Sequence, residues 1–221
     1  MREINLPHKM IKNIIFDLGG VLLDIDYKLT FSKLSEIMGV DIRTDHIPAH
    51  IYKIILGYEK GEINTETFLW NLQKVSTRLT PQPDKLIKAW NAMLLGWNSN
   101  RFQFLDELRA KYNLYLVSNT NDLHLEWIRK DLKKNHKISD FDTKFFIKSY
   151  YSNTMKKRKP EIAFYEKILK DLQIKAEETL YIDDNLENIE RARSLGLKAV
   201  YHEKDNEIID VLDRYLEEST E

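Results

Sequence analysis

Lys12-Asn13-Ile14-Ile15-Phe16-Asp17-Leu18-Gly19-Gly20 is the stretch that decides the fold. A short apolar run ends abruptly in an aspartate, and a glycine pair follows at once. That predicts a buried strand running into a loop that needs free backbone angles. Four further runs read as strands: Leu114–Ser118, Asp142–Ile147, Thr179–Asp183 and Lys198–Tyr201. Helical spacings lie between them. Phe102, Leu105 and Leu108 mark one helix, and Leu123 to Leu132 another, with Asn121 or Asp122 as its N-cap. Ile162, Tyr165, Ile168 and Leu172 mark a third. Ile189, Ala192 and Leu195 mark a fourth, closed by Gly196. From Tyr112 onward strands and helices alternate, which predicts an α/β fold with a parallel sheet and right-handed crossovers.

Residues 25 to 96 break the alternation and read as helices only. The patterns cover Leu29–Met38, Ile47–Lys60, Thr65–Thr77 and Asp84–Leu95. Asn64 or Thr65 caps the third, and Pro81 and Pro83 punctuate the start of the last. The expected organisation is therefore a core of residues 1–24 and 97–221 with a helical insert at 25–96. Length agrees: 221 residues, at ~150 per typical domain, suit one core plus a small insert.

Composition removes several function classes. There is no cysteine, so disulfides, thiolate metal sites and cysteine nucleophiles are excluded. Lys+Arg is 34 and Asp+Glu is 35, a net charge of −1 with no overall field for nucleic acid or an anionic membrane. No apolar run has signal-peptide or bilayer-spanning length, so the expectation is a cytoplasmic protein. The end, Leu216 to Glu221, reads as an acidic helix terminus or a frayed tail. Met155-Lys156-Lys157-Arg158-Lys159 reads as a solvated basic loop apart from Lys159. The six histidines show no zinc-type spacing. Trp70 and Trp90 are expected in the core of the insert, and Trp97 beside Gly96 at its return.

The strand ends carry the chemistry. The first ends in Asp17, the second in Ser118-Asn119-Thr120, and that at 179–183 in Asp183-Asp184-Asn185. Singly, each is ordinary turn or N-cap chemistry. Jointly, they would converge, because ligands of an open parallel sheet bind at the carboxyl ends of its strands. Three carboxylates together repel one another and need a counter-charge. A Mg²⁺ ion suits oxygen ligands, and Lys159 is also available. Three carboxylates, one Mg²⁺ and one lysine sum to zero. Such a site accepts an anion held by hydroxyl and amide donors, which is the setting for phosphoryl transfer.

Four motifs in order resemble those of the haloacid dehalogenase-like hydrolase superfamily. They are Phe16-Asp17-Leu18-Gly19-Gly20-Val21, Val117-Ser118-Asn119-Thr120-Asn121, Arg158-Lys159-Pro160-Glu161 and Tyr181-Ile182-Asp183-Asp184-Asn185. The resemblance extends over nearly the whole chain. It implies a Rossmann-like parallel sheet core with an inserted all-helical cap domain. Within the superfamily the sequence is most similar to bacterial sugar-phosphate phosphatases of the α-D-glucose-1-phosphatase type, with His124 and Trp127 in the corresponding stretch.

The resemblance also implies roles. Asp17 would be the nucleophile that becomes an aspartyl-phosphate. Asp17, the Gly19 carbonyl and Asp184 would hold Mg²⁺. Ser118 and Asn119 would hold the phosphoryl group, and Lys159 would neutralise nucleophile and phosphate. Asp183 would orient Lys159 or a metal-bound water. Most family phosphatases carry a second aspartate where this chain has Gly19, as general acid and base, a service typically worth ~10²–10⁴-fold. The expected activity is a Mg²⁺-dependent phosphatase acting on a small phosphorylated metabolite, such as glucose-1-phosphate. The alternatives are a non-catalytic phosphate- and metal-binding regulatory protein and a 2-haloacid dehalogenase. The last needs no metal and leaves the Asp183-Asp184 pair poorly explained.

Overall fold

The computed structural model describes residues 11–218. Strand β1 (Asn13–Asp17) leads to a tight loop and the short β2 (Asp24–Ile25). Four helices follow: α1 (Tyr27–Met38), α2 (Ala49–Glu59), α3 (Thr65–Val75) and α4 (Pro83–Trp90). The chain returns through β3 (Leu94–Gly96) to α5 (Asn100–Leu108), β4 (Asn113–Ser118) and α6 (Asp122–Asp131). Then come α7 (Phe141–Phe145), β5 (Lys148–Tyr151), α8 (Ser152–Met155), α9 (Ile162–Leu172), β6 (Thr179–Asp183), α10 (Leu186–Ser194), β7 (Lys198–Tyr201) and α11 (Ile208–Glu218).

The main sheet has the order β5-β4-β1-β6-β7, and its strands are all parallel. Every residue of β1 is buried, as befits a central strand covered on both faces. Alternation sorts its side chains. Ile14 and Phe16 join Leu116, Ile182, Phe104 and Leu212 on one face. Ile15 joins Val117, Tyr181, Phe164 and Ile189 on the other. With β1 in the centre, Asp17 emerges between the ends of β4 and β6. The chain crosses to opposite sides of β1 there, which opens a crevice at the carboxyl edge.

Helices α1 to α4 share a separate core built on Leu34, Met38, Ile55, Tyr58, Phe68 and Trp90, which Leu123 of α6 also enters. Tyr58 stacks on Phe68 at 4.2 Å between ring centres. The two crossing segments pair with each other, β2 antiparallel to β3. That pairing gives their backbone groups partners between the two cores.

The structure corrects three local expectations. Asp142–Ile147 is not a strand: α7 occupies most of it, and the edge strand is Lys148–Tyr151. Phe141 and Phe145 are both buried, one helical turn apart, and drive this turn of helix. The last helix of the insert stops at Trp90 instead of Leu95, because Leu94–Gly96 is taken up by the pairing with β2. Trp70 is half exposed with Lys74 Nζ 3.9 Å over its ring, so it lies outside the core that holds Trp90. Helix caps agree with their signals: Asn64, Asn121 and Asn185 each accept backbone N–H groups of α3, α6 and α10. Among the described residues no helix is long and apolar enough to cross a membrane.

Candidate active site

The carboxyl edge of the sheet opens into a cavity of about 270 Å³ lined by Asp17, Ser118, Asn119, Lys159 and Asp184, among others. Lys159 is its electrostatic centre. The side chain is 1% exposed, and its Nζ lies 2.8 Å from Asp17 Oδ1 and 2.6 Å from Asp183 Oδ2. A buried ammonium survives only with such partners. Its position is set by Asn119. The Lys159 backbone N–H donates to Asn119 Oδ1 at 2.9 Å, and Asn119 Nδ2 donates to the Lys159 carbonyl at 3.0 Å. The Asn119 side-chain amide thus braces the lysine loop.

Asp17 Oδ1 accepts both the Leu18 N–H, at 2.7 Å, and the lysine. Oδ2 accepts no hydrogen bond from the described residues. Asp183 is fully committed: Oδ2 accepts from Lys159 and the Tyr181 hydroxyl, and Oδ1 from Asn185 N–H and Asn188 Nδ2, each at 2.9 Å. Four donors occupy its lone pairs, which suits a residue that orients Lys159. Asp184 is half-buried and packs on Gly20. A Cβ built on Gly20 would stand 2.0 Å from Asp184 Oδ2, and the backbone there has φ +79°. Only glycine tolerates both.

Asp17, Asp183 and Asp184 each bring a carboxylate oxygen within 4.8 Å of the others. Burial, followed by Asp183 and Asp184 and opposed by Lys159, pushes Asp17 up to about 8. Burial and the Asp183 charge push Asp184 up to about 6. Burial and mutual repulsion together outweigh the single lysine. A hard divalent cation supplies the missing charge, and the all-oxygen donor set fits Mg²⁺. Arg101 holds the loop that carries Gly19 and Gly20, donating to the Leu22 carbonyl at 3.0 Å and pairing with Asp24 at 2.7 Å and Glu207 at 2.8 Å.

Tyr27 and Glu59, from the helical insert, also line the cavity. Glu59 Oε2 pairs with Arg158 Nη2 at 3.1 Å, and burial holds the Glu59 carboxyl above the usual range against the pull of that arginine. Neither Tyr27 nor Glu59 carries a local sequence signal, since both sit in ordinary helix. Arg158 was legible only as part of a basic run, and it turns toward the insert instead of into solvent.

His124 lines the cavity and pins the insert to the core. Its Nε2–H donates to the Trp90 carbonyl at 3.2 Å, and Asn121 Nδ2 donates to Nδ1 at 3.1 Å. Trp90 Nε1 in turn donates to Asn121 Oδ1 at 3.1 Å. These partners select the neutral imidazole. Burial, partly offset by the Trp90 carbonyl, lowers its pKa from 6.5 to about 4. The unfolded chain therefore takes up a proton near pH 6.5 that the folded chain refuses until about pH 4, so falling pH favours unfolding across that window. Relative to pH 7, urea denaturation at pH 5 should show about 2 kcal/mol less stability from this residue. In His124→Gln that increment of acid sensitivity should vanish; an unchanged pH slope would contradict this placement.

A family model of haloacid dehalogenase-like hydrolases matches residues 11–196. The chain belongs to this family. A D-ribitol-5-phosphate phosphatase of Bacteroides thetaiotaomicron is 28% identical over 192 residues, covering 86% of this chain and 90% of the relative. A haloacid dehalogenase-like enzyme of the same organism, crystallised with magnesium and inorganic phosphate, aligns with TM-score 0.77 and 28% identity over 89% of this chain and 96% of its own. A predicted hydrolase of the family from Porphyromonas gingivalis aligns with TM-score 0.83 and 29% identity over 94% and 98%. Magnesium in such a neighbour agrees with the unbalanced carboxylate cluster of this haloacid dehalogenase-like hydrolase.

Proposed function

We propose that this hydrolase is a Mg²⁺-dependent phosphatase for the monophosphate ester of a small polyol or sugar, working through an aspartyl-phosphate on Asp17. In this reading residues 25–96 act as a cap over a core of residues 1–24 and 97–221. It acts in the cytoplasm on a diffusible substrate, with no nucleic-acid or membrane partner. The observation that carries the reading is the buried Lys159 held between Asp17 and Asp183, with Asp184 beside them.

The Asp17 carboxylate attacks phosphorus, the ester P–O bond breaks, and the alcohol leaves. Water then attacks the aspartyl-phosphate, the Asp17–phosphorus bond breaks, and inorganic phosphate departs. Lys159 draws Asp17 toward its ionised form, against the effect of burial, and offsets charge on the phosphoryl oxygens. Asp183 and Asn119 hold Lys159 in place. Ser118 and the backbone N–H groups of Gly19 and Asn119 donate to those oxygens. Asp17, the Gly19 carbonyl and Asp184 would hold Mg²⁺, which would supply charge neutralisation and Lewis-acid polarisation at the phosphoryl group. No carboxylate stands at position 19, where a Cβ would lie 3.1 Å from Ile25 Cδ1. The leaving oxygen therefore takes its proton from water or from the substrate's own hydroxyls.

The cavity volume supports a small substrate, since about 270 Å³ is below the usual range for drug-sized ligands. The test is phosphate release from pentitol, pentose and hexose monophosphates, glucose-1-phosphate included, with Mg²⁺ or with EDTA. Release should occur with Mg²⁺ and stop with EDTA. No release from any member would overturn the reading.

A further inference from the structure

We propose that Glu59 and Arg158 form the subsite that reads the hydroxyl groups of the leaving alcohol, which makes the substrate a polyhydroxylated monophosphate with no second anionic group. This rests on the phosphatase reading above. Four observations lead to it. The pair lies on the wall of the same cavity as Asp17, and the two side chains come from opposite sides, α2 and the loop before Lys159. Both are only about one-fifth exposed, at 19% and 21%. Arg158 Nε is buried and has no hydrogen-bond partner among the described residues. The backbone around Glu59 is also held firmly. Ser152 Oγ donates to the Glu59 carbonyl at 2.6 Å, Lys60 pairs with Glu161 at 3.1 Å, and Lys156 donates to the Gly61 carbonyl.

The chemistry follows from this arrangement. A carboxylate accepts two O–H donors, a geometry that vicinal hydroxyls meet. The guanidinium beside it donates to hydroxyl oxygens, and its buried Nε needs such an acceptor. Glu59 also offsets the charge of Arg158, so this wall offers no surplus cation among the described residues for a carboxylate or second phosphate. An anion placed there would face Glu59 directly. A site built to bind hydroxyls rejects analogues that lack them, because its buried polar groups are then left unpaired.

The experiment compares kcat/KM for ribitol 5-phosphate with that for phenyl phosphate, which has no hydroxyls to read. In Glu59→Ala the first should fall about 10²-fold and the second less than about threefold. Glu59→Gln keeps the size of the side chain, should follow the same pattern more weakly, and stands in if the alanine variant misfolds. Lys167→Ala breaks an exposed ion pair with Asp171 on α9, outside the cavity lining, and should leave both rates within about twofold. Equal losses on both substrates in the Glu59 variants would mean the residue only docks the insert, and would overturn the proposal. If wild type hydrolyses phenyl phosphate but shows no preference for the pentitol ester, the subsite fails and the phosphatase reading stands. If wild type hydrolyses neither ester nor any other phosphate, both fail.

Discussion

Asp17→Asn should lower kcat on the order of 10⁴-fold or more and leave the fold intact. The substitution preserves shape and removes the nucleophilic oxygen pair. It should not cost stability. In the metal-free protein the Asp17 carboxyl is held up at about 8, chiefly by burial, so the charge at this position is unfavourable. Lys159 keeps its 2.6 Å contact with Asp183 in the variant. A neutral amide should therefore give a melting temperature equal to or above that of wild type without Mg²⁺. The Mg²⁺-induced rise in melting temperature should shrink, because one ligand has lost its charge. Single-turnover phosphate release together with melting curves in Mg²⁺ and EDTA checks both halves. Residual turnover within tenfold of wild type would remove Asp17 from the nucleophile's role.

Lys159→Met has the second largest expected effect, and it strikes stability and rate together. The methionine fills the volume of the lysine stem but leaves two buried carboxylates without their shared cation. Removing one partner of a buried ion pair typically costs about 3–5 kcal/mol. Asp183 keeps Tyr181, Asn185 and Asn188 as donors, so Asp17 bears the repulsion. The penalty should ease as pH falls, because protonating Asp17 removes one of the two charges. Urea midpoints at pH 8 and pH 5.5 test this: the gap between variant and wild type should be wider at pH 8. Turnover should fall at least about 10²-fold, since the cation held beside the nucleophile is lost. Wild-type stability at pH 8 would mean that the three-way contact does not hold the site together.

The strands whose sequence is most continuous were the most legible. Asn13–Asp17 and Thr179–Asp183 are covered on both faces, so each reads as an apolar run that stops at a polar residue. Edge strand β5 was not legible. Lys148–Tyr151 has one side open to solvent, whereas the phenylalanines just before it have the stronger strand propensity and yet form a helical turn. Their burial is decided by the aromatic cluster of Phe102, Phe141 and Phe145, assembled from separate segments. Helices α1 to α4 were legible as helices, but Trp70 and Trp90 look alike in sequence and only packing separates them.

The sequence by itself determined the chemistry at the carboxyl edge. Aspartates, a serine and a lysine of fixed type and order end or follow buried runs, and the apolar pattern compels parallel strands to bring those ends together. The tertiary structure decided what each group is free to do. Asp183 and the Asn119 amide are spent on Lys159, Asp17 keeps one oxygen without a partner among the described residues, and Glu59 meets Arg158 at the cavity wall. Those facts depend on which donors come within about 3 Å of which acceptors between segments far apart in the chain. Local propensity carries no record of such distances. They exist only once the helical insert has docked on the sheet.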